Sequence, residues 1–76
     1  MKIVKVHFNA ITDIYKFVEL ATKYPYEMDM CSGRYIIDAK SIMGIFSLDL
    51  LSDIELKIYS DGAEDFISEI APYIAK

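Results

Sequence analysis

The chain has 76 residues, 54% of them hydrophobic, and its twelve acidic and eight basic residues give a net charge of −4, so we expect one acidic domain spanning residues 1–76. Nucleic-acid binding is not expected without a basic cluster, and no apolar run approaches the length of a membrane span. The single cysteine, Cys31, excludes an internal disulfide, and the start runs directly into a strand pattern without a signal peptide, so we expect a cytoplasmic protein.

The first third of the chain predicts a strand followed by a helix. Alternation from Lys2 to Phe8 is typical of a strand with one covered face. Asn9 is then expected to cap a helix that ends near Lys23, because Pro25 disfavours helical geometry just before it. The buried stripe is expected from apolar residues at three-and-four spacing, with Tyr15, Phe17 and Leu20 at its margins: Ile11, Ile14, Val18 and Ala21.

The middle of the chain predicts two strands and a short helix. Residues 26–31 alternate as a half-buried strand, and a tight hairpin turn at Ser32-Gly33 leads to a third strand at residues 34–38. Ser41 is placed to cap a helix. Gly44 lies inside that helix at a cost of about 1 kcal/mol relative to alanine, which indicates either that something packs close to it or that the helix must stay short.

The last third predicts a strand and a helix. Residues 54–58 alternate most cleanly of all, and Asp61-Gly62 then turns the chain into a final helix. Pro72 is expected to kink or fray its last turn. The apolar face of this helix comprises Phe66, Ile67, Ile70, Tyr73 and Ile74. The resulting order, βαββαβα, is typical of an α+β sandwich with helices on one face of an antiparallel sheet.

The segment Lys40-Ser41-Ile42-Met43-Gly44, continued by residues 45–48, resembles the regulatory-serine segment of HPr, the histidine phosphocarrier of the bacterial sugar phosphotransferase system. The resemblance extends with fewer identities from Lys16 to about Ile70. Among the arrangements that periodicity leaves open, it implies an open-faced, four-stranded antiparallel sheet with two longer helices and one short helix.

The resemblance does not extend to the carrier site. HPr proteins carry phosphate on a histidine at the start of the first helix, followed closely by an arginine. Aligned back from Ser41, this chain has Ala10 at the histidine position and Thr12 at the arginine position. The only histidine is His7, which we expect on the solvent side of the first strand. The alternative is that His7 is a displaced phosphoryl acceptor.

What remains of the family pattern is a serine and a set of neighbouring side chains. The resemblance implies that Ser41 is a regulatory phosphorylation site with Lys40 as a neutralising neighbour, whereas the alternative is a helix cap alone. It also implies a partner-binding patch of Ile42, Met43 and Phe46, completed by Lys40 and by three first-helix residues, Lys16, Leu20 and Lys23. The alternative is that some of these apolar side chains are simply core.

We therefore expect a regulatory, non-enzymatic protein without metal or cofactor. The resemblance implies partners within the phosphotransferase and catabolite-repression system: an HPr kinase-like enzyme, a transcriptional regulator or a transferase enzyme. The alternatives are a phosphocarrier that uses His7 and an interaction module outside sugar transport. The apolar patch makes a weak dimer conceivable beside a monomer.

Overall fold

Four strands and three helices follow one another in the predicted order. The computed structural model describes residues 1–75, and Lys76, the last residue of the predicted domain, lies outside them. The elements are β1 (Lys2–Val6), α1 (Ile11–Thr22), β2 (Met28–Ser32), β3 (Tyr35–Asp38), α2 (Ile42–Phe46), β4 (Ile54–Ile58) and α3 (Glu64–Glu69), followed by a 3₁₀ turn at Ala71–Tyr73.

The strands form one antiparallel sheet in the order β1-β4-β2-β3. β4 is one of the two central strands. Its alternate residues, Ile54, Leu56 and Ile58, are fully buried under the helices. The outer edge of β1 is partly covered by the C-terminal segment, since Val6 bridges to Ile74 and the Ala75 amide donates to the Lys5 carbonyl at 2.8 Å. This confirms the α+β open-faced sandwich.

The core between sheet and helices is centred on aromatic rings. Phe17 is fully buried, and its ring centroid lies 5.5 Å from Phe8, 6.0 Å from Phe66 and 6.4 Å from Tyr73, each in an edge-to-face arrangement. Such pairs contribute about 0.5–1.5 kcal/mol each beyond the burial of their area. Phe17 therefore joins α1 to α3, to the 3₁₀ turn and, through Phe8, to the segment that follows β1.

Two predictions about α1 are wrong. The buried stripe is Ile14, Phe17, Val18 and Ala21, so Phe17 lies at its centre, whereas Ile11 is 62% exposed. The stripe that faces the core begins one turn after the helix does, which leaves Ile11 in the first turn on the surface. The N-cap is Ala10 instead of Asn9, because the backbone stays extended through Ala10 (φ −147°, ψ 155°), and no side chain caps the helix.

The turns differ from prediction by one or two residues. Ser32 pairs with Tyr35, so the hairpin turn is Gly33-Arg34 instead of Ser32-Gly33. Gly33 has φ 60° and occupies the first turn position, where a two-residue hairpin favours glycine. β2 begins at Met28 instead of Tyr26, although the Glu27 carbonyl still accepts a hydrogen bond from the Tyr59 amide at 2.9 Å. The expected effect of Pro72 is confirmed, since the last helical turn is 3₁₀.

Candidate functional site

Ser41 begins α2 as its N-cap. Its backbone is extended (φ −102°, ψ 110°), and its Oγ accepts a hydrogen bond from the Gly44 amide at 3.1 Å. The predicted cap is therefore confirmed. Because Oγ acts here as an acceptor from the backbone, the hydroxyl proton is not needed for the cap. The side chain is half-buried.

Gly44 is the residue that lets α2 lie close to β3. A Cβ added to Gly44 would lie 3.2 Å from the Ile37 Cβ and 3.2 Å from the Ser41 Oγ. Both neighbours are held in place, the first by the strand backbone and the second by the cap. The predicted close packing at Gly44 is confirmed, and it fixes the position of Ser41 relative to the sheet.

Lys40 connects this segment to the end of α1. Its Nζ donates to the Tyr24 carbonyl at 2.7 Å in a partly buried contact, and its own amide donates to the Asp38 carboxylate at 2.9 Å. In the unmodified protein the ammonium is therefore held by the backbone that follows α1. This contact uses one of the three ammonium protons, and the role of Lys40 as a neutralising neighbour of Ser41 stays a prediction.

An apolar surface extends from α1 to α2 next to Ser41. Met43 is 80% exposed and Tyr15 is 51% exposed, and the Tyr15 ring packs edge-on against Phe46 with centroids 6.1 Å apart. Helical spacing places Ile11 beside Tyr15 and Ile42 beside Phe46. We call these five residues the α1–α2 surface: Ile11, Tyr15, Ile42, Met43 and Phe46.

None of the three docking residues predicted on α1 belongs to this surface. Lys16 and Leu20 line a shallow depression together with Glu19 and Tyr73, on the side of α1 that faces the C-terminal segment. Lys23 is the exposed C-cap of α1. Sequence reasoning missed Ile11 and Tyr15 because it assigned them to the buried stripe and its margin. The signal available in the sequence was the aromatic side chain of Tyr15 at the margin of the predicted buried stripe.

The start of α1 offers little to a phosphoryl group. Ala10 and Thr12 are exposed, and no histidine or arginine occurs in this stretch. The half-buried Asp13 lies in the first turn. Burial, together with the charge of Asp13, raises the pKa of Tyr73 above its ordinary value. A carboxylate at this place repels an incoming phosphate.

His7 lies just after β1 and is about one-third exposed. Its Nδ1 is buried and lies 3.2 Å from the Asp53 Oδ1, within ion-pair distance but without the alignment of a hydrogen bond. The exposed part of the ring is therefore not Nδ1. Its backbone amide donates to the Tyr73 carbonyl at 2.8 Å, which fixes this part of the chain against the 3₁₀ turn.

The chain resembles known proteins both in a sequence pattern and in fold. A family model described as the PTS HPr component phosphorylation site matches residues 13–76. The chain belongs to the HPr family. HPr-C-His from Thermoanaerobacter tengcongensis is similar to it with a TM-score of 0.76 and 26% identity, over 95% of this chain and 89% of the other. The phosphocarrier protein HPr from Bacillus anthracis str. Ames gives a TM-score of 0.72 and 26% identity, over 97% and 94% of the two chains. No curated protein matches the chain.

The HPr resemblance and the HPr-like fold are thus confirmed, and the chain is related to the phosphotransferase system. The match begins at Asp13, so Ala10 and Thr12 lie before it. Within residues 1–75, no helix is long and apolar enough to cross a membrane.

Proposed function

We propose that this HPr-family member acts by binding other proteins and does not carry phosphate on a histidine. The observation that carries the proposal is the α1–α2 surface beside Ser41. Its side chains are exposed at Ile11, Tyr15 and Met43, whereas Ile42 and Phe46 are partly buried and pack against the core. Met43 is flexible and polarizable, which suits a surface that must fit more than one partner. An exposed apolar group of this kind is typical of an interaction site.

The chain lacks the residues that phosphate transfer on a histidine requires. A phosphoryl group on imidazole needs an accessible ring nitrogen and donors for the phosphate oxygens. Ala10 and Thr12 provide neither an imidazole nor a guanidinium, and the family match starts after them. His7 is the alternative acceptor, but its Nδ1 is buried beside the Asp53 carboxylate, which would repel a phosphoryl donor.

Ser41 is the proposed regulatory site. Phosphorylation would add about −1.5 to −2 charge units at the border of the α1–α2 surface. The first turn of α2 contains no acidic residue to repel that charge. A partner that presents an arginine beside an apolar pocket would then distinguish the two forms of the protein. In this proposal the partners are an HPr kinase-like enzyme and a regulator or transferase of the phosphotransferase system, in the cytoplasm.

Intact-mass measurements test the proposal. One sample receives ATP with HPr kinase, and another receives phosphoenolpyruvate with the general phosphotransferase enzyme. We expect one phosphate from ATP that Ser41→Ala abolishes and that Ser47→Ala, a control at the other end of α2, retains. A phosphate from phosphoenolpyruvate that disappears in His7→Ala would replace this proposal by the carrier alternative. No mass change in either sample would favour an interaction module without phosphotransfer.

The role of the α1–α2 surface is tested separately. Met43→Lys places a charge on it, whereas Leu51→Lys places the same charge at a side chain that is 92% exposed and outside it. We expect Met43→Lys to slow the phosphorylation of Ser41 by the kinase and Leu51→Lys to leave the rate unchanged. Equal rates for all three proteins would show that the kinase does not use this surface.

A further inference from the structure

β3 forms an edge of the sheet, and its outer side has backbone groups that no strand pairs. Ser32 and Tyr35 flank the two-residue turn and so exchange hydrogen bonds. The Ala39 amide donates to the Met28 carbonyl at 3.1 Å, which continues the same alternation. Residues 35, 37 and 39 therefore direct their backbone groups toward β2. The amides of Ile36 and Asp38 and the Ile36 carbonyl point outward.

Apart from its short length of four residues, this edge lacks the features that usually prevent strands from pairing between molecules. β3 contains no proline, lysine or bulge, and Tyr35 and Ile36 are 62% and 65% exposed. The opposite edge differs, since the segment around Ile74 covers part of β1. Arg34, at the start of the free edge, has no acidic group within ion-pair distance among residues 1–75.

We propose that the β3 edge pairs with the β3 edge of a second copy of this chain. The strands would run antiparallel about a two-fold axis at Ile36, giving one continuous eight-stranded sheet. In this register Ile36 stands opposite Ile36 of the other copy. Arg34, in the turn just before β3, then lies next to Asp38 of the other copy, and the symmetry produces that opposite-charge pair twice.

Charge selects this register over its neighbours. Moving the axis to Ile37 places Asp38 opposite Ile36, and moving it to Asp38 places the two Asp38 carboxylates opposite each other, which is unfavourable. The edge strand together with the turn residue before it, Arg34-Tyr35-Ile36-Ile37-Asp38, is therefore complementary in charge to itself when reversed. A four-residue edge buries far less than a standard interface of about 1,600 Å², so the association is expected to be weak.

The direct measurement is amide hydrogen exchange at low and high protein concentration. We expect the amides of Ile36 and Asp38 to become protected as concentration rises, whereas those of Tyr35 and Ile37, already paired with β2, change little. Sedimentation over the same range should show reversible dimers. A chain that stays monomeric up to about 1 mM, where even a weak complex is populated, would overturn the proposal.

Charge exchange tests the register. Arg34→Asp gives a chain with two acidic residues at these positions, and Asp38→Arg gives one with two basic residues. We expect each variant to be monomeric alone and an equimolar mixture to dimerise, because both cross-strand pairs are then complementary. Far-UV circular dichroism of each variant checks that the monomer is folded. A mixture that stays monomeric would refute the register.

A matched pair of lysine variants tests the surface. Ile36→Lys and Ile3→Lys both replace an exposed isoleucine on an edge strand, at 65% and 50% exposure. We expect only Ile36→Lys to abolish dimers. If Met43→Lys abolishes them and Ile36→Lys does not, self-association occurs through the α1–α2 surface and the β3 proposal is wrong.

Discussion

Replacing Ser41 by alanine removes the acceptor of a single hydrogen bond, and the structure allows its cost to be stated. The Gly44 amide loses its 3.1 Å bond to the Ser41 Oγ in a half-buried place where water competes poorly. Losing an N-cap of this kind costs about 1 kcal/mol, within a range of about 0.5–2. For a domain of this size, 1 kcal/mol lowers the melting temperature by about 4–8 °C.

The length of α2 determines how far the effect can spread. The helix has five residues, and Ile45 is its single fully buried side chain. If α2 frayed entirely without its cap, the burial of Ile45, about 1.5–3 kcal/mol, would be lost as well. A loss near 1 kcal/mol therefore means that α2 remains docked, and a loss of about 3 kcal/mol means that the cap holds the whole helix.

Urea and thermal unfolding followed by circular dichroism measure this difference. Ser41→Asp is the matched control, because aspartate caps as well as serine and its charge suits a helix start. We expect Ser41→Asp to retain the stability of the unaltered protein. If Ser41→Ala is as stable as the unaltered chain, or Ser41→Asp as unstable as Ser41→Ala, the hydroxyl does not act as a cap.

Three further predictions concern the aromatic core, the turn glycines and the pH dependence of stability. Phe17→Ala empties the centre of the aromatic core and should cost about 3–5 kcal/mol in urea unfolding. Gly33→Ala should cost about 1 kcal/mol because of its φ of 60°, while Gly62→Ala, with open space around it, should be tolerated. The hydrogen bond to Glu69 raises the pKa of Tyr24 from 10.0 to about 12. The neutral phenol thus favours the folded state, so this contribution is present below pH 10 and lost as the pH rises toward 12. Unfolding experiments across that window should show the loss. Tyr24→Phe should reduce the pH dependence, and the remainder comes from Tyr26, Tyr59 and Tyr73, whose pKa values are also raised.

The sequence was most informative where burial alternates. The order of elements, the strand at residues 54–58 and the cap at Ser41 were all predicted, since each depends on neighbours in the chain. The orientation of α1 about its axis was not predicted correctly. Whether Ile11 or Phe17 lies in the stripe depends on where the sheet ends beneath the helix, and sequence spacing fits both.

Contacts between distant residues were also beyond prediction. Lys40 reaches the Tyr24 carbonyl, and the Tyr24 hydroxyl donates to Glu69 at 2.6 Å. Tyr15 meets Phe46 only because α1 and α2 lie side by side. These three contacts join elements whose relative positions are set by the sheet. The polar and aromatic character of the residues was visible, but their partners were not.

The pairing of β1 has a consequence for synthesis of the chain. β1, at residues 2–6, pairs with residues 54–58 and bridges to Ile74, whereas the β2–β3 hairpin closes within a few residues. During translation the first strand therefore leaves the ribosome long before any partner exists, and it must stay unpaired until most of the chain has followed. Native contacts of such long sequence separation slow folding. A stall before residue 54 would therefore leave β1, whose alternate residues are apolar, without its partner strand.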